Sequence, residues 1–338
     1  MSIGAQNGAT GADPAFAAAL RERLVSLFGT AIAIERLVLL AGGASKEAWA
    51  LDLHTPRGTL ELLVRRAGGG VIHSQTLTLE NEHRVVAIAS AAGVRVPKPY
   101  GYLGEISGRP AFVTERVSGE TIGRRVVQRP ELAGARAALP VQMAEELAKI
   151  HAIPAERVPF LSGGGARDVL VRLEHELDVL DEPHPAIELG LAWATHNAPE
   201  HHETVVAHGD FRVGNLVVTI AGLASVLDWE FAHLGDPAED VAWPLVRAWR
   251  FGVDDLRLGG IGAVEPYLER YSALTGRDIS PRSLAYWEIV GNLKWAIGAL
   301  TQSRRHLSGQ QKSVELAVLG RLAAEMEFEL LQLLERAG

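Results

Sequence analysis

The sequence contains no cysteine, and this absence removes several kinds of chemistry. Disulfides, zinc centres with thiolate ligands and cysteine nucleophiles are all excluded. The remaining composition, 47% hydrophobic and 22% charged residues over 338 positions, is typical of a globular protein with a sizeable core. A chain without thiols fits a reducing compartment, and we expect a cytoplasmic location.

The sequence also lacks a long apolar run and an excess of positive charge. No uncharged stretch reaches the about 18 to 20 apolar residues that span a bilayer, and the N-terminus has no basic region followed by an apolar one. The net charge is −8, which argues against nucleic acid or an anionic membrane as the main partner. The sequence does not indicate an oligomeric state.

Length and patterning predict two unequal lobes. Residues 1–12 are small and glycine-rich, and we expect them to be disordered. Residues 13–117 read as a sheet lobe, and residues 118–338 as a larger, mainly helical lobe. A cleft between two such lobes is a usual place for a ligand.

The first lobe shows the order β-β-β-α-β-β after a short helix around Ala15 to Phe28. The breaks are "GGAS" and "TPRG" between the first three strands, Gly93 after the helix, and a Gly108-Arg109-Pro110 turn between the last two. This pattern predicts an antiparallel meander followed by a helix and two further strands.

The second lobe begins near Ser118 and consists of long helices, interrupted by a strand pair in "NLVVTIAGLASVLD". Its last segment, Lys312 to Arg336, is predicted to be an amphipathic helix. The apolar positions assigned to its buried side are Val314, Leu319, Leu322, Met326 and Leu330.

The stretch "HGDFRVGN" places Asp210 five positions before Asn215, between two apolar runs. This spacing is that of catalytic loops in which an acid orients a hydroxyl group and a carboxamide holds magnesium during phosphoryl transfer. A hairpin centred on Ala221-Gly222 would place Asn215 opposite Asp228 on one face, close enough to share one hard cation. Glu230 faces the same side and is a further candidate ligand or substrate contact. The alternative is that these residues only form turns and caps.

The stretch "HLGDPAEDVAW" predicts a helix start that supports this loop. Asp236 is the expected N-cap, Pro237 the first helical residue, and Glu239 the partner in a capping box. Asp240 can then point back towards the catalytic loop, or remain a solvated first-turn acid favoured by the helix dipole. His208 is expected to support the loop rather than to bind a metal.

The first lobe carries the features of a phosphate clamp. Gly42 and Gly43 form a strand-turn-strand in which backbone N–H groups can approach a phosphate, with Ser45 and Lys46 as further donors, although a plain tight hairpin would look the same. In "FVTERVSGE" the backbone carbonyl of Glu115 and the N–H of Val117 are candidates for an adenine edge.

Glu82 lies on the apolar side of the helix that follows the third strand, where a carboxylate needs a cationic partner. Arg65 or Arg66, at the end of that strand, supplies it, and alternation from Leu63 favours Arg65. Such a pair grips nucleotide phosphates in kinases, and a purely structural buried pair is the competing interpretation.

With these residues assembled, the chain resembles the aminoglycoside phosphotransferase family, a small-molecule branch of the protein-kinase-like fold. "HGDFRVGN" and "VLDWEFAHLGDPAEDVAW" are the most specific motifs, and "LAKIHAIP" and "LKWAIGALTQ" resemble the branch found fused to acyl-CoA dehydrogenases. The resemblance implies an α+β fold with a small antiparallel sheet lobe and a helical lobe. It also implies ATP as phosphoryl donor, Asp210 as base, Asn215 and Asp228 as magnesium ligands, and Arg65 paired with Glu82.

The leading hypothesis is therefore an ATP- and magnesium-dependent kinase that phosphorylates a hydroxyl group of a small molecule. Two acceptors remain open: a hydroxyacyl-CoA type of compound, suggested by the branch, and an aminoglycoside, suggested by the family name. A nucleotide-binding module without catalysis is the alternative from another class, and the complete set of Asp210, Asn215 and Asp228 disfavours it.

Overall fold

The computed structural model describes residues 13–40, 46–68, 76–200 and 203–337. The described residues up to Ser118, together with Ser225–Phe231, form one compact unit, and those of Gly119–Ala224 and of the chain after Phe231 form another. The sequence predicted a single boundary between the two lobes, after residue 117. Backbone hydrogen bonds explain the added segment: Val226 N–H donates to Arg95, and Leu77 N–H donates to Glu230.

The first unit contains a five-stranded antiparallel sheet in the order β1-β2-β3-β5-β4. The predicted succession of strands and helices is confirmed. Its elements are α1 (Pro14–Phe28), β1 (Ala33–Leu39), β2 (Lys46–Thr55), β3 (Gly58–Ala67), α2 (Leu79–Ala91), β4 (Pro99–Ile106) and β5 (Arg109–Glu115).

Alternation along the strands and helical spacing along α1 build the core of this unit. Leu51 and Leu53 on β2 and Leu62 and Val64 on β3 are completely buried. They belong to one apolar cluster with Phe16, Leu20 and Leu24, which follow each other at intervals of four residues on α1. The opposite face of the sheet is therefore free to carry polar groups towards α2.

The turn between β4 and β5 differs from the prediction by one residue. Ser107 and Gly108 form it, both with positive φ (51° and 73°), while Arg109 and Pro110 already belong to β5. Two-residue hairpin turns of this kind need positive φ at both central positions, which a proline cannot supply.

The second unit is mainly helical. Its small sheets pair β6 with β9, and β7 with β8. Its elements are α3 (Gly123–Gln128), α4 (Ala133–His151), α5 (Ala166–Leu180), α6 (Pro185–His196), β6 (Val205–Ala207), β7 (Leu216–Thr219), β8 (Gly222–Val226, whose last two residues belong to the first unit), β9 (His233–Gly235), α7 (Pro237–Ala242), α8 (Glu265–Thr275), α9 (Pro281–Leu307) and α10 (Val314–Ala337).

The turn between β7 and β8 is also displaced from its predicted position. It is formed by Ile220 and Ala221, one residue before the predicted centre, because Gly222 takes its positive φ (111°) as the first residue of β8. Asn215 lies in a 3₁₀ turn before β7, and Asp228 lies beyond the end of β8. The hairpin register that was used to place these two residues opposite each other is therefore wrong.

Helix α10 has nearly the predicted bounds, and its buried face differs from the prediction at the start of the helix. Met326 and Leu330 are buried as expected, whereas Val314 is 80% exposed. The buried stripe consists of Leu316, Ala323, Met326, Glu329, Leu330 and Leu333. Intervals of three and four residues starting from Leu316 keep one face of the helix inward, and Val314 does not lie on that face. Among the described residues, no helix is both long and apolar enough to span a bilayer.

This corrected face makes a direct prediction. Leu330→Ala is expected to lower the free energy of unfolding by about 3 kcal/mol, because a completely buried leucine leaves a cavity. Val314→Ala should stay within about 0.5 kcal/mol of the parent, because the side chain is already in water. Urea unfolding followed by circular dichroism measures both, and equal losses in the two variants would contradict the assigned face.

Candidate active site

The loop between β6 and β7 fixes the carboxylate of Asp210 with three side-chain donors. Trp243 Nε1–H and Arg212 Nε–H both donate to Oδ1, at 2.7 and 3.0 Å. Asn215 Nδ2 donates to Oδ2 at 2.6 Å and to the backbone carbonyl of Asp210 at 2.9 Å. The predicted acid and carboxamide are therefore in direct contact, and the carboxylate has one defined orientation.

Asp240 supports the backbone of this loop from α7. Its Oδ2 accepts the N–H of His208 at 2.5 Å, and its Oδ1 accepts the N–H of Gly209 at 2.9 Å. The positive φ of Gly209 (79°) lets both N–H groups converge on one carboxylate. The side chain of Asp240 is completely buried, so it is not the solvated first-turn acid of the alternative interpretation.

Two histidines complete the support of the loop. His208 Nδ1 accepts the N–H of Asp210 at 3.2 Å, as a supporting role predicts. His151 Nε2 lies 3.4 Å from Oδ2 of Asp240, and its Nδ1 lies 2.6 Å from the hydroxyl of Tyr271. Burial by itself raises the pKa of Asp240, but the contacts with His151 and His208 outweigh it and lower the pKa to about 2.

The start of α7 follows the predicted cap but not the predicted capping box. Asp236 Oδ1 accepts the N–H of Ala238 at 2.8 Å, and Pro237 is the first helical residue. Glu239 does not turn back to the cap. Its Oε2 lies 3.2 Å from His233 Nε2, and its Oε1 lies 3.8 Å from Lys294 Nζ, because a buried carboxylate is better satisfied by cationic partners than by one backbone N–H.

Further aromatic and cationic side chains lie next to the partners of Asp210 within the second unit, and the sequence did not indicate them. The ammonium of Lys294 lies 4.9 Å from the ring centre of Trp243, and the guanidinium of Arg212 lies 4.1 Å from that of Trp249. The rings of Trp243 and Trp249 are 5.5 Å apart, and Trp295 follows Trp249 at 6.3 Å. Tryptophans at helical spacing look like ordinary core residues in a sequence, so their positions alone do not indicate a functional site.

The first unit holds a separate cluster of charges. Arg65 on β3 donates from Nη1 to Oε1 of Glu82 on α2 at 2.9 Å, and its Nη2 contacts Asp228. Glu82 is 1% exposed, as its position on the apolar face of α2 predicts. Arg66 pairs instead with Glu47 at 3.0 Å, so alternation along β3 correctly selects Arg65 as the partner of Glu82.

Lys46 joins the same cluster from the start of β2. Its Nζ lies 2.5 Å from Oε2 of Glu82 and 2.9 Å from Oε2 of Glu230, which lies in the 3₁₀ turn Trp229–Phe231. Burial by itself lowers the pKa of Arg65, but the charges of Asp228 and Glu82 outweigh it and raise the pKa above its ordinary value. The guanidinium is permanently charged.

The other predicted nucleotide contacts are partly described. Gly42, Gly43 and Ser45 lie outside the described residues. Glu115 ends β5, where its carbonyl accepts the hydroxyl of Thr114 at 3.1 Å and its carboxylate accepts the N–H of Lys98 at 3.3 Å. Val117 follows in an irregular, half-buried segment. The roles of these residues towards a nucleotide stay predictions.

Comparison with known proteins gives consistent matches. The profile of a phosphotransferase enzyme family, APH, matches residues 36–278. Acyl-CoA dehydrogenase family member 10 of Mus musculus is 27% identical over 293 residues, which is 79% of this chain and 26% of that protein. The chain therefore spans about a quarter of that curated relative.

Two solved structures show the fold. A protein from Ralstonia eutropha assigned to the aminoglycoside phosphotransferases matches with a TM-score of 0.75 and 21% identity, over 95% of this chain and 99% of the other. A thermostable mutant of aminoglycoside phosphotransferase APH(4)-Ia, in a ternary complex with AMP-PNP and hygromycin B, matches with a TM-score of 0.61 and 19% identity, over 93% and 98%. The predicted protein-kinase-like fold is confirmed.

The contacts of Asp240 predict a measurable loss on substitution. Asp240→Asn is expected to lower the free energy of unfolding at pH 7 by about 3 kcal/mol, because the buried N–H groups of His208 and Gly209 lose a charged acceptor. Urea unfolding measures the loss. The exposed Asp255→Asn is the control and should change stability by less than about 0.5 kcal/mol.

The same residue predicts the acid dependence of stability. Its pKa is about 2 in the folded chain and about 3.9 when unfolded. The resulting stabilisation is complete above pH 4 and is lost as the pH falls from about 4 through about 2. The free energy of unfolding should therefore decrease less steeply between pH 5 and pH 3 in Asp240→Asn than in the parent. Equal slopes in the two proteins would contradict the lowered pKa of Asp240.

Proposed function

Because the chain belongs to the APH family of phosphotransferase enzymes, we propose that it transfers the γ-phosphoryl group of ATP to a hydroxyl group of a small molecule. The observation that carries this proposal is the carboxylate of Asp210, which Trp243, Arg212 and Asn215 hold in one orientation. An acid fixed in this way can align an attacking hydroxyl group, which is the main task of the protein in phosphoryl transfer.

Asp210 acts on the acceptor. It accepts a hydrogen bond from the acceptor hydroxyl and takes its proton as the new P–O bond forms and the bond to the leaving nucleoside diphosphate breaks. Three side-chain donors hold this carboxylate in one orientation, so its chief contribution is orientation of the hydroxyl oxygen. Asp240 and His208 support that task by holding the backbone of the loop.

Asn215 and Asp228 are the proposed ligands of magnesium. Carboxylate and carboxamide oxygens suit this hard cation, and the proposal rests on the resemblance of the two motifs to those of the family. Magnesium, when bound, neutralises charge on the phosphate oxygens of the nucleotide. The sequence also offered Glu230 as a ligand or substrate contact. Because its Oε2 lies 2.9 Å from Lys46 Nζ, we propose no direct role for it towards magnesium or substrate.

The charge cluster of the first unit is the proposed phosphate grip. The buried carboxylate of Glu82 orients Arg65, whose guanidinium would stabilise the charge of the phosphates. The backbone of Gly42 and Gly43 and the hydroxyl of Ser45 are further proposed donors to phosphate. The carbonyl of Glu115 and the N–H of Val117 are proposed for the adenine.

For the acceptor we favour a hydroxyacyl-CoA type of compound over an aminoglycoside. Within the second unit, Arg212 pairs with Asp210, and Lys294 Nζ lies 3.4 Å from the carbonyl oxygen of Gly209. Three tryptophan rings lie next to these two cations. Cations and aromatic rings suit an anionic or uncharged acceptor with stacking groups, whereas a polycation would need carboxylates. The similarity to an acyl-CoA dehydrogenase family member supports the same choice.

Replacing the proposed base tests the reaction type. Asp210→Asn is expected to lower kcat at least about 1,000-fold, because the amide cannot accept the hydroxyl proton. The dissociation constant of AMP-PNP, measured by calorimetry, should stay within about threefold, since the carboxylate acts on the acceptor. The exposed Asp178→Asn is the matched control and should keep full activity. Phosphotransfer retained by Asp210→Asn would contradict the assignment.

A panel of acceptors tests the substrate class. ADP release, followed with a coupled assay, is expected with hydroxyacyl-CoA thioesters and not with kanamycin or hygromycin B. ADP release with the aminoglycosides alone would overturn the choice of acceptor. Tight binding of ATP without ADP release for any hydroxyl compound would instead support a nucleotide-binding module without catalysis.

A further inference from the structure

We propose that Lys46 is a positioning residue that sets the orientation of Arg65 by occupying one oxygen of Glu82 and by neutralising Glu230. This inference rests on the proposed function, in which Arg65 contacts the phosphates of the nucleotide. It replaces the simpler expectation that Lys46 itself contacts phosphate.

The sheet places two cations on the same carboxylate. In the pairing of β2 with β3, Ala48 lies opposite Arg65, and Lys46 lies two residues before Ala48 on the same face. Lys46 takes Oε2 of Glu82 at 2.5 Å, and Arg65 takes Oε1 at 2.9 Å. Each oxygen of this buried carboxylate therefore has its own cationic partner.

Glu230 fixes Lys46 from the other side. Its Oε2 lies 2.9 Å from Lys46 Nζ, and its backbone carbonyl accepts the N–H of Leu77 at 2.8 Å. The side chain of Lys46 is only 11% exposed, and its ammonium lies between two carboxylates, whose charges offset the cost of taking it out of water. The turn after β8, the start of β2 and helix α2 are thereby joined through one nitrogen.

The consequence concerns the geometry of Arg65. With Oε2 of Glu82 occupied, Arg65 engages Glu82 through Nη1 alone and keeps Nη2 on Asp228. A guanidinium prefers to bind a carboxylate through two parallel N–H donors. Removal of Lys46 frees the second oxygen of Glu82, allows that bidentate pairing, and turns the guanidinium out of its present orientation.

A direct contact between Lys46 and phosphate makes the opposite prediction for Glu230. If Lys46 binds the nucleotide itself, Glu230 competes for its ammonium, and Glu230→Gln should tighten nucleotide binding. If Lys46 acts through the two carboxylates, Glu230→Gln should weaken binding in the same direction as Lys46→Met. The effects of Lys46→Met and Glu230→Gln should also overlap when combined.

The experiment measures the dissociation constant of AMP-PNP with magnesium by calorimetry on the full chain, without acceptor. Lys46→Met and Glu230→Gln are each expected to weaken binding about tenfold, the double variant no more than about twentyfold, and Lys46→Arg less than about threefold. The KM for the acceptor should stay unchanged in all of them. Lys149→Met is the matched control, because it also removes a lysine from a buried carboxylate, that of Glu146, and should keep the parent's affinity.

Thermal unfolding followed by circular dichroism shows which variants fold. If Lys46→Met is unfolded, Glu230→Gln decides the matter, because it leaves the pair of Lys46 and Glu82 in place. Unchanged affinity in the folded variants, or tighter binding in Glu230→Gln, overturns the proposal. A parent chain that does not bind AMP-PNP at all refutes the proposed function instead.

Discussion

A buried carboxylate must be matched by donors or cations, and in each unit of this protein one such acid holds the residues of the candidate site. An ionised acid taken out of water without partners costs several kcal/mol, so the chain around it is constrained in both sequence and shape. Glu82 gathers Lys46 and Arg65 in the first unit. Asp240 gathers the backbone of the loop that carries Asp210 in the second. The groups proposed for chemistry are positioned by these two acids rather than by loop stiffness alone.

The two acids have different kinds of partner, and this difference suits the tasks that we propose for the groups they hold. Asp240 binds backbone N–H groups, which have no rotamers, so the position of Asp210 follows directly from the fold of α7. Glu82 binds two long side chains, which keep some freedom to move. A loop that aligns a hydroxyl oxygen needs the first kind of support, whereas a grip on a mobile phosphate tail tolerates the second.

The sequence predicted most strongly those features that depend on a single periodicity. Alternation along β3 selected Arg65, and helical spacing selected Glu82, because burial of one face leaves few alternatives. Predictions that required counting through a turn failed by one residue, since Gly222 takes its positive φ inside β8. Lys46 could not be assigned to its carboxylates, because no local pattern tells where a long side chain ends.

The sequence also could not identify residues that contact the site from distant positions in the chain. Trp243 reaches Asp210 from 33 positions away, and Lys294 reaches the same loop from α9. Each looks like an ordinary helical residue until the second unit is assembled. The buried face of α10 shows the same limit. The residues that pack against the first turn of this helix decide which of its side chains are buried, and the sequence of the helix alone does not identify them.

The assignment of Ser225–Phe231 to the first unit has a consequence for how this chain can be divided. The five strands of the first unit's sheet all precede residue 118. Two of the acids that pair with Arg65 and Lys46, Asp228 and Glu230, lie more than a hundred positions later in the chain. A gene fragment ending at Ser118 would encode the two cations with Glu82 but without Asp228 and Glu230. An exchange of the first unit between relatives must therefore include the short segment Ser225–Phe231 as well as the residues up to Ser118. Without that segment, the sheet keeps two cations and only one of the acids that pair with them.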